Sequence, residues 1–228
     1  MSQPQLHVQT IVSAPFEENT FVAHLEGRSD AVVIDPGLEP NQIIACLERD
    51  KLTPAAILIT HGHSDHIGGN ARLKARWPDC PIVIGHGDAP KLTDPELNLS
   101  AAFGVRLLSP PADVLLRDGD FYDAAGMRFE VREIPGHSSG HIVFIWKGAT
   151  PYVVFGGDVL FAGSIGRTDF PDGSFEQLAT GIHAKLFTLP DDTIVLPGHG
   201  GNTTIGREKR SNPYVGLGRG EGLGAGDE

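Results

Sequence analysis

Apolar positions along this chain recur at two periods. Short runs rich in β-branched residues occur at 7–13 (HVQTIVS), 19–25 (NTFVAHL), 30–37 (DAVVIDPG), 55–60 (AAILIT), 81–85 (PIVIG), 128–134 (RFEVREI), 141–146 (HIVFIW), 152–158 (YVVFGGD) and 193–198 (TIVLPG). Gly, Pro or Asp bounds each run, which predicts strands. Three segments between them have helical spacing. Pro40 to Asp50 places Ile43, Ile44 and Leu47 on one face. His66 to Trp77 follows the helix-start pair Ser64 and Asp65. Ser174 to Leu186 carries Phe175, Leu178, Ile182 and Leu186. Strands alternating with helices predict an α/β protein, its strands buried beneath helices on the outer faces. Pro90 to Asp113 has no clear period and is rich in proline, so it reads as a loop or lid. Residues 216–228 (GLGRGEGLGAGDE) cannot bury a core and read as a disordered tail, leaving 1–215 as a single domain.

The strand ends carry the chemistry. AAILIT runs into His61, Gly62, His63, Ser64, Asp65 and His66; later runs deliver His137 after Gly136, Asp158 after Gly157, and His199 after Gly198. In α/β sheets the carboxyl ends of neighbouring strands converge on one edge, where sites form. Five imidazoles and two carboxylates could meet there. Seven ligands exceed the four or so that one zinc takes. They suit two ions about 3.5–4 Å apart with a carboxylate between them. Imidazole mixed with carboxylate fits zinc first, with iron or manganese also compatible. PIVIG ends in the same way, at His86, Gly87 and Asp88, and pattern alone does not separate it from the others. His7, His24, His141 and His183 read as structural or exposed.

Composition narrows the partners. Net charge is −11, which argues against a phosphate-backbone ligand, because nucleic-acid affinity rests on clustered Lys and Arg. The two cysteines, Cys46 and Cys80, have no metal-type spacing and read as buried thiols. They form no disulfide framework, and a reducing cytoplasm is the expected compartment. No stretch approaches the ~20 apolar residues of a membrane helix, and the N-terminus lacks a signal-peptide pattern. A soluble, cytoplasmic protein with no membrane partner is expected.

The HGHSDH run (61–66) closely resembles the HxHxDH signature of the metallo-β-lactamase superfamily, and the later PGH, GGD and PGH segments follow in that family's order. The resemblance spans roughly 6–214. It implies a four-layer αββα sandwich with two facing sheets and helices outside. It also implies that His61, His63 and His137 hold one divalent ion, that Asp65, His66 and His199 hold a second, and that Asp158 bridges them. Asp35, in VVIDPG, matches a family aspartate that supports the ligand loop, while His86 matches no ligand. The stretches LFAGSIGRTDFPDGS and LPGHGGNTTIGREKRSNP look like the short glyoxalase II-like hydrolases, which resemble hydroxyacylglutathione hydrolase, an enzyme acting on S-lactoylglutathione. The implied activity is hydrolysis of a small thioester, with Asp65 orienting the nucleophile and Arg167 read either as binding a substrate carboxylate or as an ion pair with Asp169 or Asp172 in its own loop. Arg207, Lys209 and Arg210 form a basic group read either as an anion contact or as a solvated helix face. One departure stands out: only 29 residues follow His199 in this sequence, many of them glycine, so the cationic glutathione contacts that glyoxalase II draws from its C-terminal helical domain are not expected from this stretch. GRTDF (166–170) also resembles the iron-dependent persulfide dioxygenases, the main rival. A β-lactamase, a nuclease and a non-enzymatic metal-binding protein fit the sequence less well.

Overall fold

The computed structural model describes residues 3–219. The first half of the chain builds one six-stranded sheet from β1 (Leu6–Ser13), β2 (Glu18–Leu25), β3 (Asp30–Ile34), β4 (Thr53–Ile59), β5 (Ile82–Gly85) and β6 (Val114–Leu116), lying side by side in that order. The first three strands pair antiparallel, and β3 to β6 run parallel. Parallel neighbours require crossovers, and helices α1 (Pro40–Arg49), α2 (Ser64–Ile67) and α3 (Asn70–Arg76) lie within two of them. The second half contributes β7 (Phe121–Ala124), β8 (Met127–Glu133), β9 (Ile142–Trp146), β10 (Val153–Gly157), the small hairpin β11 (Leu160–Phe161) and β12 (Ser164–Ile165), α4 (Phe175–Gly181), β13 (Ile194–Pro197), β14 (Thr203–Thr204) and α5 (Ile205–Ser211). Its six-stranded sheet has the order β14, β13, β10, β9, β8, β7.

Strand alternation makes the layers. In β3, Val32 and Ile34 point between the sheets while Val33 faces the helices; in β4, Ala56 and Leu58 point inward while Ile57 and Ile59 face out. Phe129, Phe144 and Phe155 from the second sheet complete the central core, all fully buried. A second apolar cluster joins the outer face of the first sheet to Ile43, Leu47 and Leu73, and a third joins the second sheet to Leu178, Ile182 and Ile205. Two apolar faces per sheet need covering on both sides. The result is the four-layer sandwich of helix, sheet, sheet and helix.

Two helices differ from expectation. Residues 66–77 do not form one helix: α2 and α3 are separated at Gly68 and Gly69. The Gly69 N–H donates to Pro36 O at 2.7 Å, and a Cβ there would lie 2.9 Å from the Pro36 and Gly37 carbonyl oxygens. Two glycines already weaken a helix, and tight docking on the loop after β3 sets the break. The segment 174–186 begins as an α-helix capped by the Ser174 hydroxyl, then turns π at Ile182–Leu186. Leu178, Ile182 and Leu186 face the core, whereas Phe175 is exposed.

Residues 90–113 contain two 3-10 turns, Ala89–Thr93 and Ser100–Phe103, joined by irregular chain. At the C-terminus, Gly216 N–H donates to Asn212 O and Leu217–Arg219 make a short 3-10 turn. The tail expected to be disordered thus has a structured start, and residues 220–228 lie outside the described residues. No helix among the described residues is long and apolar enough to cross a membrane. Cys46 and Cys80 are buried free thiols.

Candidate metal centre

β3, β4, β8, β10 and β13 all end at one edge of the sandwich. Asp35 follows β3, the HGHSDH loop follows β4, His137 lies four residues beyond β8, Asp158 follows β10, and His199 lies two residues beyond β13. His61, His63 and His137 bring one ligand atom each within 4.8 Å of one another, and Asp65, His66 and His199 do the same. Asp158 lies between the two trios. Its Oδ2 is 3.4 Å from His137 Nε2 and 3.5 Å from His199 Nε2, and its Oδ1 is 3.5 Å from His66 Nε2. Seven residues expected to meet do meet.

Four of the five rings are fixed by their other nitrogen. His137 Nδ1 lies 2.9 Å from Arg167 O, and His199 Nδ1 lies 3.0 Å from Phe16 O. A carbonyl only accepts, so each Nδ1 carries the proton and each Nε2 presents a lone pair inward. His66 Nδ1 donates to Asp35 Oδ2 at 3.1 Å. Thr60 donates its hydroxyl to Asp35 Oδ2 at 2.7 Å and accepts from His61 Nδ1 at 3.1 Å. His63 turns its Nδ1 toward His137 Nε2, 3.0 Å away.

The donor set fits divalent cations. His61 Nε2, His66 Nε2 and Asp158 Oδ1 are buried without a hydrogen-bond partner, and orphaned polar atoms are costly unless something satisfies them. Imidazoles anchored through the remote nitrogen are the usual arrangement around a metal. Asp35, His61 and His66 also lie within 4.8 Å of one another. However, Asp35 already accepts from Thr60 N–H, the Thr60 hydroxyl and His66. It holds His66 directly and His61 through the Thr60 hydroxyl. Asp35 does so with φ at 47°, a left-handed conformation that Asp tolerates better than most residues.

Burial and charge divide the centre. Burial, then His66, holds the His61 pKa well below the ordinary imidazole value; burial and His137 do the same for His63. Burial also acts to lower the His66 pKa, but Asp65, Asp158 and Asp35 outweigh it and hold that group well above its ordinary value. His199 is likewise raised, burial being outweighed by Asp65 and Asp158. Burial would raise Asp65, yet His66 and His199 bring it below the usual carboxylate range.

A cavity of about 640 Å³ opens over the candidate ligands. Phe16, Leu99, Phe103, Phe161 and Phe170 wall it, and His63, Asp65, His137, Asp158 and His199 form its base. Leu99 and Phe103 come from the 90–113 segment, which therefore does flank the site. Arg167 lines the rim, its side chain largely exposed, paired with Asp169 at 2.7 and 2.8 Å and stacked 4.3 Å over Phe170. Arg207 and Arg210 lie away from the cavity. They sit on α5, pointing to Glu208 and Asp191. Lys209 also pairs with Asp191.

The structure separates the look-alike after β5 from the ligands. His86 is exposed, and Asp88 is fully buried beneath the HGHSDH loop. His141, read from sequence as structural or exposed, belongs to the centre's support: it is fully buried, stacks on His61 at 4.7 Å, and its Nε2 accepts from Asp158 N–H at 3.0 Å. Asn19 was not anticipated at all. Its side chain donates to Pro197 O and Gly200 O, and its N–H donates to Gly198 O, clamping the turn that carries His199. No spacing rule marks it, since its partners lie far away in sequence.

The model of the metallo-beta-lactamase superfamily matches residues 15–199, and the chain belongs to that superfamily. The hydroxyacylglutathione hydrolase GloC of Haemophilus influenzae is 38% identical over 217 residues, covering 92% of this chain and 98% of the relative. Three solved structures are similar along most of their length. The BLEG-1 B3 metallo-beta-lactamase matches with a TM-score of 0.87 at 37% identity, covering 92% of this chain and 99% of its own. TTHA1623 in a di-iron-bound form has a TM-score of 0.79 at 36% identity, covering 91% and 100%. ETHE1 from Myxococcus xanthus has a TM-score of 0.76 at 30% identity, covering 92% and 84%.

Proposed function

We propose that this protein is a metal-dependent hydrolase of small thioesters, glyoxalase II-like, with S-lactoylglutathione or a related acyl-thiol as substrate and two divalent ions, zinc first, as cofactors. The observation that carries the reading is Asp158, whose two oxygens face both ligand trios at the base of an open cavity. Purely structural metal sites close all coordination positions, whereas reactive ones leave room for water and substrate. The similarity to GloC supports the thioester substrate class.

When bound, two such ions polarise a carbonyl and make a water-derived nucleophile available near neutral pH. The chain's own residues do the rest. Asp65, partly exposed at the cavity base and held ionised beside His66 and His199, orients the incoming nucleophile by accepting its hydrogen bond. The oxygen adds to the acyl carbon, the C–S bond breaks, and the departing sulfur takes up a proton. The Phe16, Phe103 and Phe170 wall limits water beside the scissile bond. Arg167 meets a substrate carboxylate by exchanging its Asp169 partner at the rim.

The test is thiol release from S-lactoylglutathione by purified protein, before and after chelation and after readdition of zinc, iron or manganese. Metal-dependent release supports the reading, and undiminished activity after complete metal removal refutes it. The likeness to ETHE1, with GRTDF at 166–170, favours persulfide dioxygenase activity as the second reading. Oxygen consumption with glutathione persulfide, absent thioester cleavage, would select it. Nitrocefin hydrolysis tests what the likeness to BLEG-1 raises.

A further inference from the structure

We infer that Asp88 is a positioning residue for the first ligand trio, fastening the His61–His63 turn and the His137 turn to a single buried carboxylate. The inference rests on the two-ion reading above and adds a residue that touches neither ion nor substrate.

Asp88 follows β5 and is fully buried. Its Oδ2 accepts from Gly62 N–H at 2.8 Å, and Gly62 stands between His61 and His63. The same oxygen accepts from the Ser138 hydroxyl, directly after His137, and Oδ1 accepts from Gly140 N–H at 2.8 Å. One carboxylate therefore reaches both sequence-distant turns that supply the trio. Three donors suit an ionised carboxylate, and hydrogen bonds to a charged partner are the strong kind.

Its charge is matched nearby. Lys91 is buried, lies 3.5 Å from Asp88, donates to the Ser138 hydroxyl and reaches Asp172 at 2.6 Å. Asp172 also accepts from Ser139 N–H at 3.0 Å. The chain from Asp88 through Ser138 and Lys91 thus ends in the loop bearing Arg167 and Phe170 at the cavity. The packing leaves no slack: a Cβ on Gly62 would collide with the Lys91 stem, and one on Gly140 with Gly87. Fixing ligand geometry to a fraction of an ångström requires such support.

The experiment compares wild type with Asp88→Asn, Asp88→Ala and Ser138→Ala. Metal-free proteins are titrated with zinc against a chromophoric chelator, cobalt d–d spectra report ligand geometry, and melting of the metal-free chains reports general stability. We expect a loss of at least about tenfold in zinc affinity at one of the two sites. The cobalt bands shift, and Asp88→Asn, which keeps an acceptor, is milder than Asp88→Ala. If Asp88→Ala does not fold, Asp88→Asn and Ser138→Ala carry the same comparison. Two ions bound with wild-type affinity and spectrum in folded variants would overturn the inference, as would equal weakening at both sites. A wild type that binds no zinc overturns the two-ion reading and this inference with it; wild type with two ions beside unaffected variants overturns this inference alone.

Discussion

The two halves of the candidate metal centre are built differently. His61, His63 and His137 are at most 4% exposed, and the turns bearing them are tied through Asp88 to one buried hydrogen-bond network. Asp65 and His199 are 18% and 26% exposed at the side chain, and His199 is held by Phe16 O and the Asn19 clamp. The first half is dry, and its His61 and His63 resist protonation. The second is more exposed at Asp65 and His199, though not at the buried His66, and its carboxylates raise the pKa of both histidines. The difference is one of degree: the first half is the more buried and more tightly fastened anchor, while both halves contribute to the cavity floor, His63 and His137 from one and Asp65 and His199 from the other.

Removing what the halves share should have the largest effect. Asp158→Ala is expected to lower thiol release to background and leave less than one ion per chain by elemental analysis. Retention of both ions would remove the bridging role. Breaking only the more exposed half is next: His199→Ala should reduce stoichiometry from two ions to about one, with the survivor at the buried trio. Asp35→Ala follows, weakening zinc binding by roughly 10–100-fold in a competition titration, because His66 and, through Thr60, His61 lose their anchor.

Proton competition sharpens the same comparison. A metal takes neutral imidazole. His66 and His199 have raised pKa values, so in the metal-free chain they hold protons more tightly as pH falls through those values, and zinc affinity there falls with it. His61 and His63 are depressed and stay neutral in that window. Zinc titrations at descending pH should therefore lose the Asp65–His66–His199 half first. Simultaneous loss would contradict the division. The smallest change is expected from Arg167→Ala, a KM increase of less than about tenfold with kcat unchanged, since an exposed ion pair contributes little.

Much of this was readable from the chain. Apolar runs ending in Gly followed by His or Asp identified the strand ends, and three histidines with an aspartate inside six residues identified the ligand loop. Asp35 was reachable only through the match of VVIDPG to the family's aspartate. What stayed hidden depends on contacts between distant segments. His86 and Asp88 share the ligand pattern, yet one is exposed and the other is buried support. His141 resembles any histidine before a strand until the sheets bring it against Asp158. Arg207 and Arg210 follow His199 closely in sequence, but α5 carries them to Asp191 and Glu208. The paired glycines at 68 and 69 mark close packing, which periodicity reads as continued helix.

The most direct test is a crystal structure of protein purified with its native metals, with anomalous data at the zinc and iron edges. Two peaks about 3.5–4 Å apart are predicted, one touching His61, His63 and His137, the other Asp65, His66 and His199, with Asp158 contacting both. A single peak without Asp158 contact, or peaks away from these strand ends, would contradict the account.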